Sequence, residues 1–114
     1  MLPKSKKISR EEFPQDFHSG YKYHSPGLLL LITKQTKQNL ETKFSFIVSK
    51  KVSKNAIKRI LLKRRGYNII KNNIKHIKPG FLCVFHFKKG FKIPTNEEIN
   101  NQVMYLLKKA NILT

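Results

Sequence analysis

The chain has 114 residues, enough for one domain with a single core and too few for a second lobe. Its 24 Lys and Arg against 6 Asp and Glu leave a formal charge of +18. A compact body so charged repels itself, so a polyanionic partner is expected, and nucleic acid fits best.

Cys83 is the single cysteine, so no internal disulfide forms. The longest purely apolar run, Leu28 to Ile32, is far short of a membrane span. The N-terminus is basic but has no apolar signal-peptide core. One cytoplasmic domain with no membrane contact is expected.

Residues 1–8 read as a mobile basic arm. Ser9-Arg10-Glu11-Glu12 is a capping box, and Ile8 with Phe13 makes a hydrophobic staple, so a short helix should start here. Phe13 and Phe17 share a face of that helix. Pro14 bends or shortens it, and Ser19-Gly20 ends it.

Tyr21 to Ile32 is strand material broken by a bend or bulge at Ser25-Pro26-Gly27. Lys34 to Thr42 is polar and reads as a hairpin loop. Lys43 to Ser49 alternates as a strand, with Phe44, Phe46 and Val48 on one face. A helix follows from near Ser53 to about Ile77. Ala56, Ile60, Tyr67, Ile70 and Ile74 line up along it, while Arg59 and Lys63 intrude at the edge of that line. Gly66 weakens its middle.

Lys78-Pro79-Gly80 is a turn. Phe81 to Phe87 is apolar on both faces, as in a central strand covered on both sides or one that leaves a side for a stacking ligand. Thr95-Asn96-Glu97-Glu98 is a second capping box. It opens a helix whose Ile99, Val103, Leu106, Leu107 and Ala110 face the core. The order α-β-β-β-α-β-α describes an α+β sandwich.

No catalytic constellation stands out. The carboxylates cluster at helix N-termini, where capping accounts for them. His18, His24, His76 and His86 are scattered without metal spacing. Cys83 reads as a small core residue. The distinctive stretch is the turn Ser49-Lys50-Lys51 and the helix after it, with Lys54, Lys58, Arg59, Lys63, Arg64 and Arg65. It holds three of the four arginines, inside a window from Thr42 to Asn96 without a single Asp or Glu. A solvated surface helix normally interleaves acids at i,i+4. This one has none, so a partner that neutralises it is expected, and Arg adds bidentate phosphate contact and base stacking. Phe13 and Phe17 either stack on unpaired bases or pin the first helix to the sheet. Phe44, Phe46, Phe81 and Phe85 read as core.

At Val48-Ser49-Lys50-Lys51 and the helix after it, the chain resembles the protein subunit of bacterial ribonuclease P. That family carries a V-S-K-K turn and a helix reading A-V-x-R-N-R-x-K-R-x-x-R. Ala56, Arg59, Lys63 and Arg64 fall in register. The family's Asn and second Arg are Ile60 and Leu61 here, and its later Arg is Tyr67. Leu2-Pro3-Lys4, then Phe13 and Phe17, resemble the family's opening.

The resemblance implies a fold like ribosomal protein S5 domain 2, with a left-handed β-α-β crossover. It implies an accessory subunit of a ribonucleoprotein endoribonuclease that removes the 5′ leader of precursor tRNA. The chemistry would be carried by RNA, with Mg²⁺ held mainly by that RNA and none bound tightly by an otherwise inactive protein. The partners would be the catalytic RNA and precursor tRNA, with no obligate protein partner. Lys50, Lys51, Arg59, Lys63 and Arg64 would contact the catalytic RNA, with Lys54, Lys58 and Arg65 beside them. Phe13 and Phe17 would line a leader cleft between the first helix and the sheet, where a family aromatic falls near Leu31. The alternatives are a ribosomal or ribosome-associated RNA-binding protein, and an independent nuclease for which no carboxylate or His cluster is present.

Overall fold

The computed structural model describes residues 6–8, 20–35, 41–89 and 95–114. Its elements are β1 (Tyr21–His24), β2 (Leu28–Lys34), β3 (Lys43–Ile47), α1 (Ala56–Asn73), a 3-10 turn (Ile74–His76), β4 (Phe81–Phe87) and α2 (Asn96–Lys109). The helix expected around Phe13 and Phe17 lies outside the described residues.

The four strands form one sheet in the order β1-β2-β4-β3. β4 is one of the two inner strands, as its two apolar faces predicted. It pairs antiparallel with β2 and parallel with β3. A parallel pair needs a long crossover, and α1 supplies it. The segment 34–42 is therefore not a hairpin loop. β2 and β3 do not pair, because β4 lies between them. The reverse correction applies at Ser25-Pro26-Gly27. Tyr21 pairs with Ile32 and His24 with Leu29, so this is a full antiparallel turn rather than a bend. Ser25 Oγ donates to Gln102 Oε1 at 2.6 Å, and the Gly27 amide donates to the same oxygen at 2.8 Å, tying the turn to α2.

Both helices cover one face of the sheet. Leu28, Leu30, Ile32, Phe44, Phe46, Cys83, Phe85 and Phe87 meet Leu62, Ile69, Ile70, Ile99, Val103, Leu106 and Leu107 there. Thr95 caps α2 by accepting from the Glu98 amide at 3.1 Å, as its capping box predicts.

The packed side of α1 is the predicted one only in its C-terminal half, where Ile70 is buried and Tyr67 and Ile74 pack against the core. Leu62, Gly66, Ile69 and Ile70 are buried, whereas Ala56 and Ile60 are exposed. The helix also starts later than Ser53. Asn55 is the N-cap, its Oδ1 accepting from the Ile57 amide at 2.9 Å and the Lys58 amide at 3.3 Å. Gly66 explains the shift. The Phe46 ring lies directly against it, so closely that a Cβ at 66 would overlap the ring. Phe46 in turn stacks on Phe85, with centroids 4.8 Å apart, and meets Tyr67 edge-on at 5.1 Å. Gly66 thus lets the helix approach rather than merely weakening it.

The arm expected over residues 1–8 is anchored at Lys6, Lys7 and Ile8. Lys7 bridges to Phe44, and the Ile8 amide donates to the Phe44 carbonyl at 3.0 Å. Lys7 Nζ sits 4.7 Å from the Tyr67 ring centre. Lys6 pairs with Glu41 at 2.6 Å.

Gly66→Ala tests this packing. Helix propensity alone favours Ala by about 1 kcal/mol, and a clash in a filled core outweighs that. The urea midpoint should fall by an amount equivalent to about 1–2 kcal/mol. The exposed control Lys71→Ala should leave it unchanged. A stabilised Gly66→Ala would contradict the close approach.

Candidate nucleic-acid interface

The strand β3 ends at the charged region. Its exit is a tight turn in which the Val52 and Ser53 amides both donate to the Ser49 carbonyl, at 3.0 and 3.3 Å. Lys50 and Lys51 stand exposed on this turn. The first turn of α1 contains no acid. The positive end of the helix dipole therefore adds to Lys54 and Lys58 instead of being offset, which favours an anion.

The eight predicted cations separate into two groups. Lys50, Lys51, Lys54, Lys58, Lys63 and Arg64 are exposed. Arg59 and Arg65 are half-buried. Arg59 Nη1 donates to the Ser53 carbonyl at 2.8 Å and so braces the turn against the helix. Part of its role is structural, which its position in a basic run did not reveal. Arg65 lines a groove between α1 and α2 with Asn68, Asn96 and Glu97. The exposed six make the turn and the start of α1 cationic on several sides.

The outward side of α1 also carries a feature missed in the sequence. Ile57, Ile60 and Leu61 are 70%, 53% and 41% exposed. They lie opposite the Leu62-Gly66-Ile69 stripe, beside Arg64. The signal that would have found them was Gly66 itself. A glycine flanked at i−4 and i+3 by Leu62 and Ile69 marks the tight contact, and the contact sets which side faces out.

The second face of the sheet lies away from both helices. By register it carries Lys22, His24, Leu29, Leu31, Thr33, Lys43, Ser45, Ile47, Leu82, Val84 and His86. Val84 is fully buried, and Leu29, Leu31, Ile47 and His86 are half-buried. Leu31 sits centrally, between Lys22 and Val84. Burial lowers the pKa of His86 below the ordinary imidazole value. Phe13 and Phe17, expected either to stack on bases or to pin the first helix to the sheet, lie outside the described residues. Phe44, Phe46 and Phe85 are core as expected, and Phe81 is half-buried against that core. Burial raises the Cys83 thiol far above its usual range, so it is an inert core group. Among the described residues no three His, Cys, Asp or Glu side chains gather as a metal site. No described helix is long and apolar enough to cross a membrane.

The family model described as Ribonuclease P matches residues 2–111. A ribonuclease P protein component from Rippkaea orientalis is 32% identical over 116 residues, covering 98% of this chain and 91% of that one. One from Synechococcus elongatus is 28% identical, covering 98% and 95%. Among solved structures, the RNase P protein of Staphylococcus aureus superposes with a TM-score of 0.79 at 21% identity, over 93% of this chain and 94% of that chain. That of Thermotoga maritima superposes with a TM-score of 0.71 at 23% identity, over 82% and 86%. These two show the shared α+β fold.

His86 gives a pH test. Its folded pKa lies below its unfolded value of 6.5. As pH falls through that value, the unfolded chain takes up the proton first, so stability falls with pH. The thermal midpoint should drop between pH 7.5 and 5.5, and His86→Asn should remove part of the drop. An identical drop in the variant would contradict the burial of a neutral imidazole.

Proposed function

The chain belongs to the ribonuclease P protein family, and we propose that it grips the ribonuclease P RNA through the turn at Ser49 and the outward side of α1. Family membership makes it a protein component of an endoribonuclease complex that matures the 5′ end of tRNA, with that RNA as its partner. The observation that carries the proposed binding surface is the exposed set Lys50, Lys51, Lys54, Lys58, Lys63 and Arg64, with no acid from Thr42 to Asn96. Such a surface neutralises phosphates and releases their counterions.

In this reading the RNA carries the chemistry. Mg²⁺ is held mainly by the RNA, and the cationic surface lowers the Mg²⁺ needed by reducing phosphate repulsion. The substrate is precursor tRNA, met in the cytoplasm. Its single-stranded leader lies along the outer face of the sheet, over Leu29, Leu31 and Ile47, with Phe13 and Phe17 as stacking groups. Apolar side chains beside Lys22 and Lys43 suit an unpaired strand, because bases pack on the first and phosphates on the second. Arg59 acts mainly by holding the turn that presents Lys50 and Lys51.

Salt titration of RNA binding tests the assignment. The logarithm of affinity should fall steeply with the logarithm of salt. Lys63→Ala with Arg64→Ala should reduce the slope by about one unit per lost phosphate contact. An unchanged slope would place the RNA elsewhere.

A further inference from the structure

Ile57, Ile60 and Leu61 occupy the outward side of α1 at i, i+3 and i+4, with Arg64 completing the line at i+7. Their exposures of 70%, 53% and 41% contrast with Leu62 one residue later, which is 6% exposed. Scattered exposed aliphatics are ordinary, but three adjoining ones on one helical face form a patch. The sheet does not need them, since Leu62, Gly66, Ile69 and Ile70 make the contact to the core.

The surroundings restrict the occupant. Lys54, Lys58, Lys63 and Arg64 stand exposed around the patch. A second copy of a chain with charge +18 would bring two such clusters together. An apolar protein surface would leave the charges unmatched. What fits is a polyanion that also offers flat apolar faces, namely RNA with bases out of the stack. In an intact duplex those faces are hidden, and the helix could meet only phosphates and groove edges.

We propose that Ile57, Ile60 and Leu61 form a docking site for unstacked nucleobases of the ribonuclease P RNA, with the flanking Lys and Arg on the adjoining phosphates. This deepens the reading of α1 as the RNA-gripping element and rests on it. The patch supplies the salt-independent part of the affinity, and the cations supply the salt-dependent part. It distinguishes RNA carrying a loop or bulge from continuous duplex.

The test compares the full-length chain with the triple variant Ile57→Ala, Ile60→Ala, Leu61→Ala. Alanine preserves helix propensity while removing the apolar side chains of the patch. Circular dichroism and thermal unfolding check that the variant folds. Fluorescence anisotropy then measures binding to the ribonuclease P RNA, and to an uninterrupted RNA duplex, across a salt series. The variant should bind the ribonuclease P RNA about tenfold more weakly at every salt concentration, with an unchanged slope. On the duplex, the two proteins should bind alike. Equal affinity for the ribonuclease P RNA overturns the inference while leaving α1 as the cationic grip. So does an equal loss on the duplex, or a patch whose removal changes only self-association or binding to anionic vesicles. Failure of the unaltered chain to bind the ribonuclease P RNA with a steep salt dependence would instead remove the reading on which the inference depends.

Discussion

The arrangement depends on the contact between the Phe46 ring and Gly66. Phe46 belongs to an edge strand, and its ring lies between Phe85 of the inner strand β4 and the backbone of α1. A side chain at 66 would hold the helix off. With none there, α1 settles onto β3 and against α2 along Leu62, Ile69 and Ile70, and its other side is committed to solvent. Tyr67 secures the same junction, its hydroxyl accepting from the Phe46 amide at 3.3 Å. Lys7 lies over the Tyr67 ring, and the Lys7-Ile8 segment covers part of the β3 edge. The exposed edge strand is thereby blunted against pairing with another chain.

That placement has an electrostatic consequence. The N-terminal half of α1 projects its cations together with the positive end of its dipole, and the first turn has no acid to offset either. The arrangement costs stability in the free protein, and phosphates at the proposed RNA-binding surface would offset that cost. Arg59 and Asn55 hold this unfavourable geometry in place, one bonding the Ser53 carbonyl and the other capping α1. A surface rigid in the free protein loses less entropy on binding, which suits a protein that must fit a folded RNA.

Much of this architecture is legible in the order of the residues. The two apolar faces of Phe81 to Phe87 place that strand inside the sheet, and the Thr95 box with its apolar spacing defines α2 nearly residue for residue. The basic run marks the cationic surface, because charge is a property of composition and survives any error of register. Two things are not legible. The position of β3 beside β4, and not beside β2, is a tertiary choice that a polar connection such as 34–42 does not encode. The N-terminal part of the buried side of α1 is misassigned by helical spacing, which aligns Ile60 with Tyr67, Ile70 and Ile74 although Ile60 faces out. Only the partner ring of Phe46 decides which side packs, and its reach across to Gly66 is invisible to that spacing. Arg59 is legible as a cation but not as a brace, since its acceptor is a backbone carbonyl.

The most direct measurement is cleavage of a precursor tRNA at low Mg²⁺ by the ribonuclease P RNA of the same organism, with this chain, without it, and with the chain alone. Leader removal is expected when RNA and protein are both present, little with RNA alone at that Mg²⁺ concentration, and none with protein alone. Cleavage by the RNA-free protein, or an RNA whose rate and Mg²⁺ requirement are unmoved by a protein that binds it tightly, would contradict the accessory-subunit role.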